Sequence, residues 1–359
     1  MITMFIFLLI LGVLITVHEF GHFIAAKKLG VRVEKFSFGF GRRLFGRKKG
    51  DTEYTVNLIP LGGYVKMSGD SAEDFHNKPY EYLSKKPLER ALIIFLGPLL
   101  NYVLGFLFFW LIFFSGYPTL TAKVGGLLDG YGAKDAGVQV GDQIIAVDGK
   151  RVSYWEDLQA AIQARKDAGK VEVQLLRGDK EHTLAVLIKE KSMDDVLGAK
   201  HNVGLIGITP EDEIVNIRHG FFKSFVLGAR KTIGLTAMTY KALWRMVTGK
   251  LSMSESITGP LGIFYITSKA ASVGIIALMH LVAVLSVSLC IFNLLPLPVL
   301  DGGHIVLLAL EKFRGRQLGV KAERVITQIG FSLIVTLAVF ATYNDIIRIF
   351  KDKISALIK

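Results

Sequence analysis

The sequence predicts a multi-pass α-helical membrane protein with four transmembrane helices, a membrane-associated β-hairpin, and one α+β domain inserted between the second and third spans. Three observations carry this prediction. Hydrophobic residues make up 51% of the 359 and charged residues only 21%, with a mean hydropathy of +0.43, too apolar for an ordinary soluble protein. Four runs approach the ~20 apolar residues that cross a bilayer. The longest segment between them, 117–272, carries 20 Lys/Arg against 17 Asp/Glu and holds strand, turn and short-helix patterns. The length allows two or three units rather than one core. Lys and Arg exceed Asp and Glu by 12, a balance that suits nucleic acid or an anionic membrane surface. The apolar runs decide for the phospholipid bilayer, and no nucleotide or nucleic-acid motif is present. The single cysteine, Cys290, excludes an internal disulfide.

The first span is read over 1–26. Met1–Val17 is free of charge and runs on through His18-Glu19-Phe20-Gly21-His22. It lacks the basic start and the clean small-residue cleavage pattern of a secretory signal, so it is expected to remain as a span. Residues 27–90 follow as a cytoplasmic-side segment. Alternation in Glu34–Phe40, and partly in Glu53–Pro60, predicts two strands around the basic, Gly-rich turn Arg42–Gly50. Such a hairpin, with aromatics on one face, can dip into the membrane. An unpaired edge in it, expected within Glu53–Pro60, offers backbone to an added strand; the alternative is a hairpin that only shields the site. The second span, 91–116, has Asn101 as its main polar residue, either a helix-packing hydrogen bond or a site group. The inserted domain covers 120–212. Residues 219–271 are read as a membrane-surface amphipathic helix and loop, with Lys223, Arg230, Lys231, Lys241 and Arg245 at the lipid phosphates; a fifth span is the alternative. The third span is read over 273–303 and the fourth over 325–345.

Orientation follows from the basic flanks. Residues 27–90 hold 14 Lys/Arg against 8 Asp/Glu, and 311–324 hold 5 against 2. The positive-inside rule puts both connections in the cytoplasm and the inserted domain outside, with both termini extracytoplasmic.

His18-Glu19-Phe20-Gly21-His22 is an H-E-x-x-H pattern. On a helix, residues four apart lie ~40° apart around the axis and one turn along it, so two imidazoles can share one Zn²⁺. The glutamate between them is placed to activate a zinc-bound water as general base. Two histidines and a glutamate in or beside an apolar span are costly unless they pair or bind something. A catalytic zinc needs a third protein ligand. The remaining candidate is Asp301, in Asn293-Leu-Leu-Pro296-Leu-Pro298-Val-Leu-Asp301-Gly302-Gly303. Pro296 and Pro298 cannot continue a helix, so the backbone is expected to unwind and leave a carboxylate at the cytoplasmic end of the third span, the depth of His18 and His22. Alone, Asp301 also fits a surface turn. Peptide hydrolysis further needs a donor for the tetrahedral oxyanion, a role open to the Asn293 amide.

H-E-F-G-H in the first span with N-x-x-P-x-x-x-x-D-G in the third resembles the site-2 protease family of intramembrane zinc metalloproteases, within it the bacterial regulator-of-sigma-E branch. Further matches are Gly97-Pro98-Leu99-Leu100-Asn101, Leu61-Gly62-Gly63-Tyr64-Val65 and Gly259-Pro260-Leu261-Gly262-Ile263. The resemblance implies His18, His22 and Asp301 as zinc ligands, Glu19 as the base, and Asn293 as a contact to the substrate backbone or oxyanion. It implies a re-entrant β-element beside the active site. It also implies the bacterial inner membrane as location and single-span membrane proteins, pre-cut by another protease, as substrates, such as an anti-sigma factor or signal-peptide remnants.

Within the inserted domain, Gly132–Gly149 resembles a PDZ domain. Gly204-Leu205-Ile206-Gly207-Ile208 is similar to the peptide-carboxylate loop, placed last as in circularly permuted bacterial PDZ domains; a plain strand end is the alternative. Substrate binding is thus assigned to Asn293, Gly204, Leu205, Ile206 and Gly207. Two other functions compete with the intramembrane protease. A zinc peptidase of soluble peptides would set its H-E-x-x-H in a polar helix outside an apolar run. A PDZ scaffold with a structural metal would need a fourth ligand, and no further His or Cys is evident for it.

Overall fold

The computed structural model describes residues 2–71, 73–165, 169–194, 200–316 and 319–357; of the inserted domain, 166–168 and 195–199 thus lie outside the described residues. The chain divides into two compact units, one of 1–112, 222–246 and 252–359, the other of 113–221 and 247–251.

The first unit begins with α1 (Ile2–Lys28), which carries no proline and ends on Lys27 and Lys28. Strands β1 (Val33–Lys49) and β2 (Thr52–Met67) follow, then a 3₁₀ turn at Tyr82–Ser84 and α2 (Pro87–Ser115). The two strands make more than a simple hairpin. Residues 43–49 pair antiparallel with 52–57 across the turn, while 33–38 pair antiparallel with 63–67. Lys35, Phe36, Ser37 and Phe38 also face Glu53, Tyr54, Thr55 and Val56, with numbers rising on both sides. The sheet therefore has four segments in the order 43–49, 52–57, 33–38, 63–67. Buried Asn57 donates to Ser37 Oγ (2.8 Å) and to the Gly39 carbonyl (3.1 Å), which pins the bend in β1.

The second unit is a small α+β body. It contains β3 (Tyr117–Leu120), β4 (Val124–Leu127), α3 (Gly132–Asp135), β5 (Gln143–Val147), β6 (Lys150–Arg151), α4 (Trp155–Gln163), β7 (Lys170–Arg177), β8 (Lys180–Leu187), β9 (Lys189–Asp194), β10 (Lys200–Leu205), β11 (Ile208–Pro210) and β12 (Ile214–Ile217). The main sheet runs β6-β5-β7-β8, all antiparallel, and β4 pairs with β11, β3 with β12, and β9 with β10. Alternate residues of β7, Val171, Val173 and Leu175, enter a core with Ile144, Val147, Leu158, Val186 and Ile206. Asp142 accepts two hydrogen bonds from Arg177 (2.7 and 2.8 Å) and one from the Gln139 N–H. Burial pushes its carboxyl up, but these donors outweigh burial and hold it below the usual carboxylate range.

The chain returns to the first unit through α5 (Phe221–Val247), α6 (Met253–Ser256), α7 (Pro260–Val273), α8 (Ile275–Asn293), α9 (Asp301–Arg314) and α10 (Val320–Leu357). Four helices among the described residues are long and apolar enough to cross a membrane: Ile2–Lys28, Pro87–Ser115, Ile275–Asn293 and Arg324–Arg348. They turn Phe5, Leu111, Phe331 and Val339 outward, and the chain is an integral membrane protein.

Two boundaries and the packing of one helix differ from the sequence reading. Residues 260–271, read within the segment of amphipathic helix and loop, belong to α7 (Pro260–Val273), because Gly259-Pro260 starts a helix rather than breaking one: proline is at home in the first turn. The third span stops at Asn293, and Asp301 opens the next helix instead of closing this one. The helix α5, read as lying on the membrane surface, runs along α2: Phe225 meets Phe106 and Trp110, and Thr236 reaches the Tyr102 hydroxyl at 3.1 Å.

Candidate active site

His18 and His22 lie one turn apart on α1 and are both nearly buried, at 8% and 7% exposure. Their Nε2 atoms are 3.1 Å apart. Asp301, in the first turn of α9, brings Oδ2 to 3.0 Å from His18 Nε2 and 3.8 Å from His22 Nε2. Ligand atoms at ~2.0–2.1 Å from a tetrahedral zinc lie ~3.3 Å from one another, so these separations fit one ion. The donor chemistry fits as well. His22 donates Nδ1–H to the Ile93 carbonyl at 3.0 Å, which leaves the Nε2 lone pair for a metal. Asp301 Oδ2 is buried with no hydrogen-bond donor. Bare acceptors gathered this closely repel one another unless a cation sits among them.

The first-span helix approaches α2 closely enough to make this possible only through two glycines. A Cβ on Gly21 would stand 2.2 Å from the Leu96 carbonyl oxygen, and one on Gly97 would stand 2.3 Å from His22 Nε2. The motif Gly97-Pro98-Leu99-Leu100-Asn101 is legible in the sequence, but its contact with His22 is not. Asn101 is fully buried, and its backbone carbonyl accepts from Ser286 at 2.8 Å.

Glu19 is part-buried beside the two histidines and accepts the backbone N–H of Val65 at 3.2 Å. Val65 faces Phe36 in the 63–67 strip. Since its N–H goes to Glu19, it points away from the sheet, so the outer edge of this strip faces the glutamate. The expected pairing stretch Glu53–Pro60 is corrected accordingly: 53–56 lies between two segments of β1 and its backbone is already taken. Val65 and Ile93 act through backbone atoms, which no side-chain pattern announces.

Asn293 closes α8, with its side-chain amide 3.5 Å from His18 Nδ1. Rotating the amide places its oxygen there; His18 Nδ1–H then donates, and Nε2 keeps its lone pair. The remaining predicted site residues, Gly204, Leu205, Ile206 and Gly207, belong to the second unit. There they line a groove against Trp155, Leu158 and Ile162 of α4.

The profile of peptidase family M50 matches residues 6–337. A protein of Agrobacterium fabrum named for a zinc metalloprotease is 34% identical, over 95% of this chain and 94% of its own. The regulator of sigma E protease of Haemophilus influenzae is 27% identical, over 96% and 98%. The zinc metalloprotease RasP of Oceanobacillus iheyensis is 28% identical, over 98% and 100%. Among solved structures, the PDZ domain of an SdrC-like protein of Listeria monocytogenes is 27% identical over 25% of this chain and 86% of its own, with a TM-score of 0.20. The histidine and carboxylate cluster, the spanning helices beside it and these similarities over nearly the whole length lead to one conclusion: the chain belongs to peptidase family M50 and is a zinc metalloprotease.

Proposed function

We propose that the protein hydrolyses peptide bonds within the transmembrane segments of single-span membrane proteins, after a first cut by another protease. The observation that carries this reading is the convergence of the orphaned Asp301 carboxylate on His18 and His22, which stand on a helix long and apolar enough to span a membrane. In this reading His18, His22 and Asp301 hold the zinc, which when bound acts as Lewis acid toward the scissile carbonyl and the attacking water. Glu19 takes the proton from that water and passes it to the leaving amine. The Asn293 amide, turned as described, directs its N–H toward the carbonyl oxygen as that oxygen gains charge.

A substrate helix hides its peptide bonds in internal hydrogen bonds, so it must unwind first. The 63–67 strip supports a place for the unwound chain, because its outer edge runs beside Glu19 and, among the described residues, carries no further strand. A substrate added there as a strand passes the zinc in extended form. The second unit is read as a circularly permuted PDZ domain whose Gly204–Ile208 groove faces extracytoplasmic partners. The basic excess of 27–90 and 311–324 supports an active site open toward the cytoplasm. One relative is named a regulator of sigma E protease, which supports a role in sigma-factor regulation; within this proposal the setting is the bacterial inner membrane and the substrates are proteins such as an anti-sigma factor or signal-peptide remnants.

The test uses the full chain in proteoliposomes with a model single-span substrate and maps the products by mass spectrometry. Cuts inside the span, faster with helix-breaking residues and slower after Leu-rich replacement, are expected. Cuts only in soluble flanks, or equal rates for both spans, would contradict the reading.

A further inference from the structure

Arg90 is 4% exposed in the first turn of α2, an unusual place for a cation beside an apolar helix. Its Nη2 donates to Glu311 Oε1, and its Nε donates to the Lys85 carbonyl at 3.2 Å. The partners are 221 residues apart in the chain, and the Glu311 side chain is itself only 14% exposed. Two facts link this pair to the zinc site. Glu311 stands on α9, the helix that Asp301 opens, ~15 Å further along at ~1.5 Å per residue. Ile93, whose carbonyl orients His22, is one helical turn beyond Arg90. One stretch of α2 therefore touches a metal-site histidine on one side and the carrier of the metal-site carboxylate on the other.

The other end of α9 is held differently. A Cβ on Gly302 would stand 2.3 Å from the Leu294 carbonyl oxygen, and one on Gly303 would stand 2.0 Å from that of Leu297. Backbone-to-backbone packing thus presses the start of the helix onto the 294–298 loop. It limits how far Asp301 can move outward but does not fix the tilt of α9. A second anchor lies near the far end, in the Arg90–Glu311 pair.

We propose that the Arg90–Glu311 ion pair positions the third zinc ligand: it ties α9 to α2 and so sets the separation between Asp301 and the two histidines. The inference rests on the assignment of His18, His22 and Asp301 as zinc ligands. Stability alone does not account for the pair. Two well-packed apolar side chains hold buried helices as well as an ion pair does, or better. The planar guanidinium adds direction, because its Nε on the Lys85 carbonyl and its Nη2 on Glu311 fix the plane from which the carboxylate is held.

The test compares full-length proteins in detergent: wild type, Arg90→Met/Glu311→Met, Arg90→Gln/Glu311→Gln, and the exchange Arg90→Glu/Glu311→Arg. Three readouts are needed: zinc affinity by chelator competition, melting temperature with and without zinc, and the visible spectrum of the Co²⁺-loaded protein. Both neutral doubles are expected to bind zinc ~10–100-fold more weakly, as for other groups that support metal ligands. Their zinc-induced rise in melting temperature should shrink and their Co²⁺ bands should shift, and the exchange should recover affinity over the neutral doubles. A purely structural pair would lower both melting temperatures together and leave affinity and spectrum as in the wild type. That result, in whichever neutral double folds, overturns the proposal. Asp301→Ala in the wild-type background separates the two readings: if it keeps full zinc affinity, the ligand assignment has failed rather than the positioning role.

Discussion

The two units solve opposite packing problems. The second, smaller unit contributes seventeen of the buried apolar residues among those described, against fifteen in the first, yet only two of the buried polar or charged ones, Thr119 and Asp142. The first unit holds the other fifteen, including His18, His22, Asn57, Arg90, Asn101, Ser286 and Asp345, and turns its large apolar side chains outward. Water holds the second unit together by driving Val171, Val173, Leu175 and Ile144 inward. Lipid tails provide no such drive between helices, so the first unit relies on close glycine contacts and internal hydrogen bonds. Asp345 shows the device away from the zinc site: its buried carboxylate accepts the Gly259 and Gly262 N–H groups at 3.1 and 2.8 Å, capping α7 from α10. A substitution should act by the rule of the unit it falls in.

The largest expected effect is at a glycine contact. Gly97→Val sets side-chain atoms where the His22 ring lies, so zinc content and cleavage should both fall, affinity by ~10–100-fold or more. Zinc analysis of the purified variant checks this, and an unchanged zinc content would break the claim that helix approach governs the first unit. In the second unit, Ile144→Ala should cost ~3 kcal/mol of local stability through transfer and cavity terms. Hydrogen exchange in β5 and β7 should accelerate while zinc affinity stays as in the wild type. If zinc affinity falls in step, the two units do not hold themselves together separately.

A smaller effect belongs to the sheet edge. Val65→Pro removes the N–H that Glu19 accepts and blocks pairing on the outer edge. Cleavage should slow ~10-fold, about the worth of one hydrogen bond to a charged group, with little change in zinc binding. Proline at Thr55, inside the sheet, should instead disturb the sheet itself and expose it to proteolysis. Equal effects at both positions would remove the distinction between edge and interior.

The smallest effect is a pH dependence. Asp142 has a depressed carboxyl in the folded state, so its stabilising contribution is complete above the unfolded value of ~3.9 and is lost as pH falls through the folded value. Arg177→Met removes donors that hold the carboxyl down and leaves burial and the Gln139 N–H in opposition, so the loss of stability in acid should be smaller than in the wild type. Hydrogen exchange of the β5 and β7 amides against pH reads this; parallel profiles for variant and wild type would contradict it.

How much of this was legible in the sequence follows the same division. Spans show in the sequence because twenty apolar residues in a row have few other uses. The His18–His22 spacing is local, and the alternation of β7 is local too. The double pairing of β1 is not legible, since 33–38 meets 53–56 and 63–67 through contacts that periodicity does not encode. The Gly259-Pro260 pair reads equally as a loop or as a helix start, and only packing against α10 decides. The Arg90–Glu311 bridge hides in an ordinary-looking charge pattern, because 221 residues separate its ends. The Ile93 carbonyl is a main-chain group that every residue carries, and the Val65 N–H one that every residue but proline carries.

The central claim is that His18, His22 and Asp301 hold one zinc while Glu19, beside them and accepting the Val65 N–H, supplies the proton transfer. The most direct measurement is zinc content alongside cleavage of a membrane-embedded substrate for Glu19→Gln and Asp301→Ala. The account predicts that Glu19→Gln keeps ~one zinc per chain, as a three-ligand site requires, and loses turnover, whereas Asp301→Ala loses both. Full zinc and activity in Asp301→Ala, or zinc lost from Glu19→Gln, would contradict it.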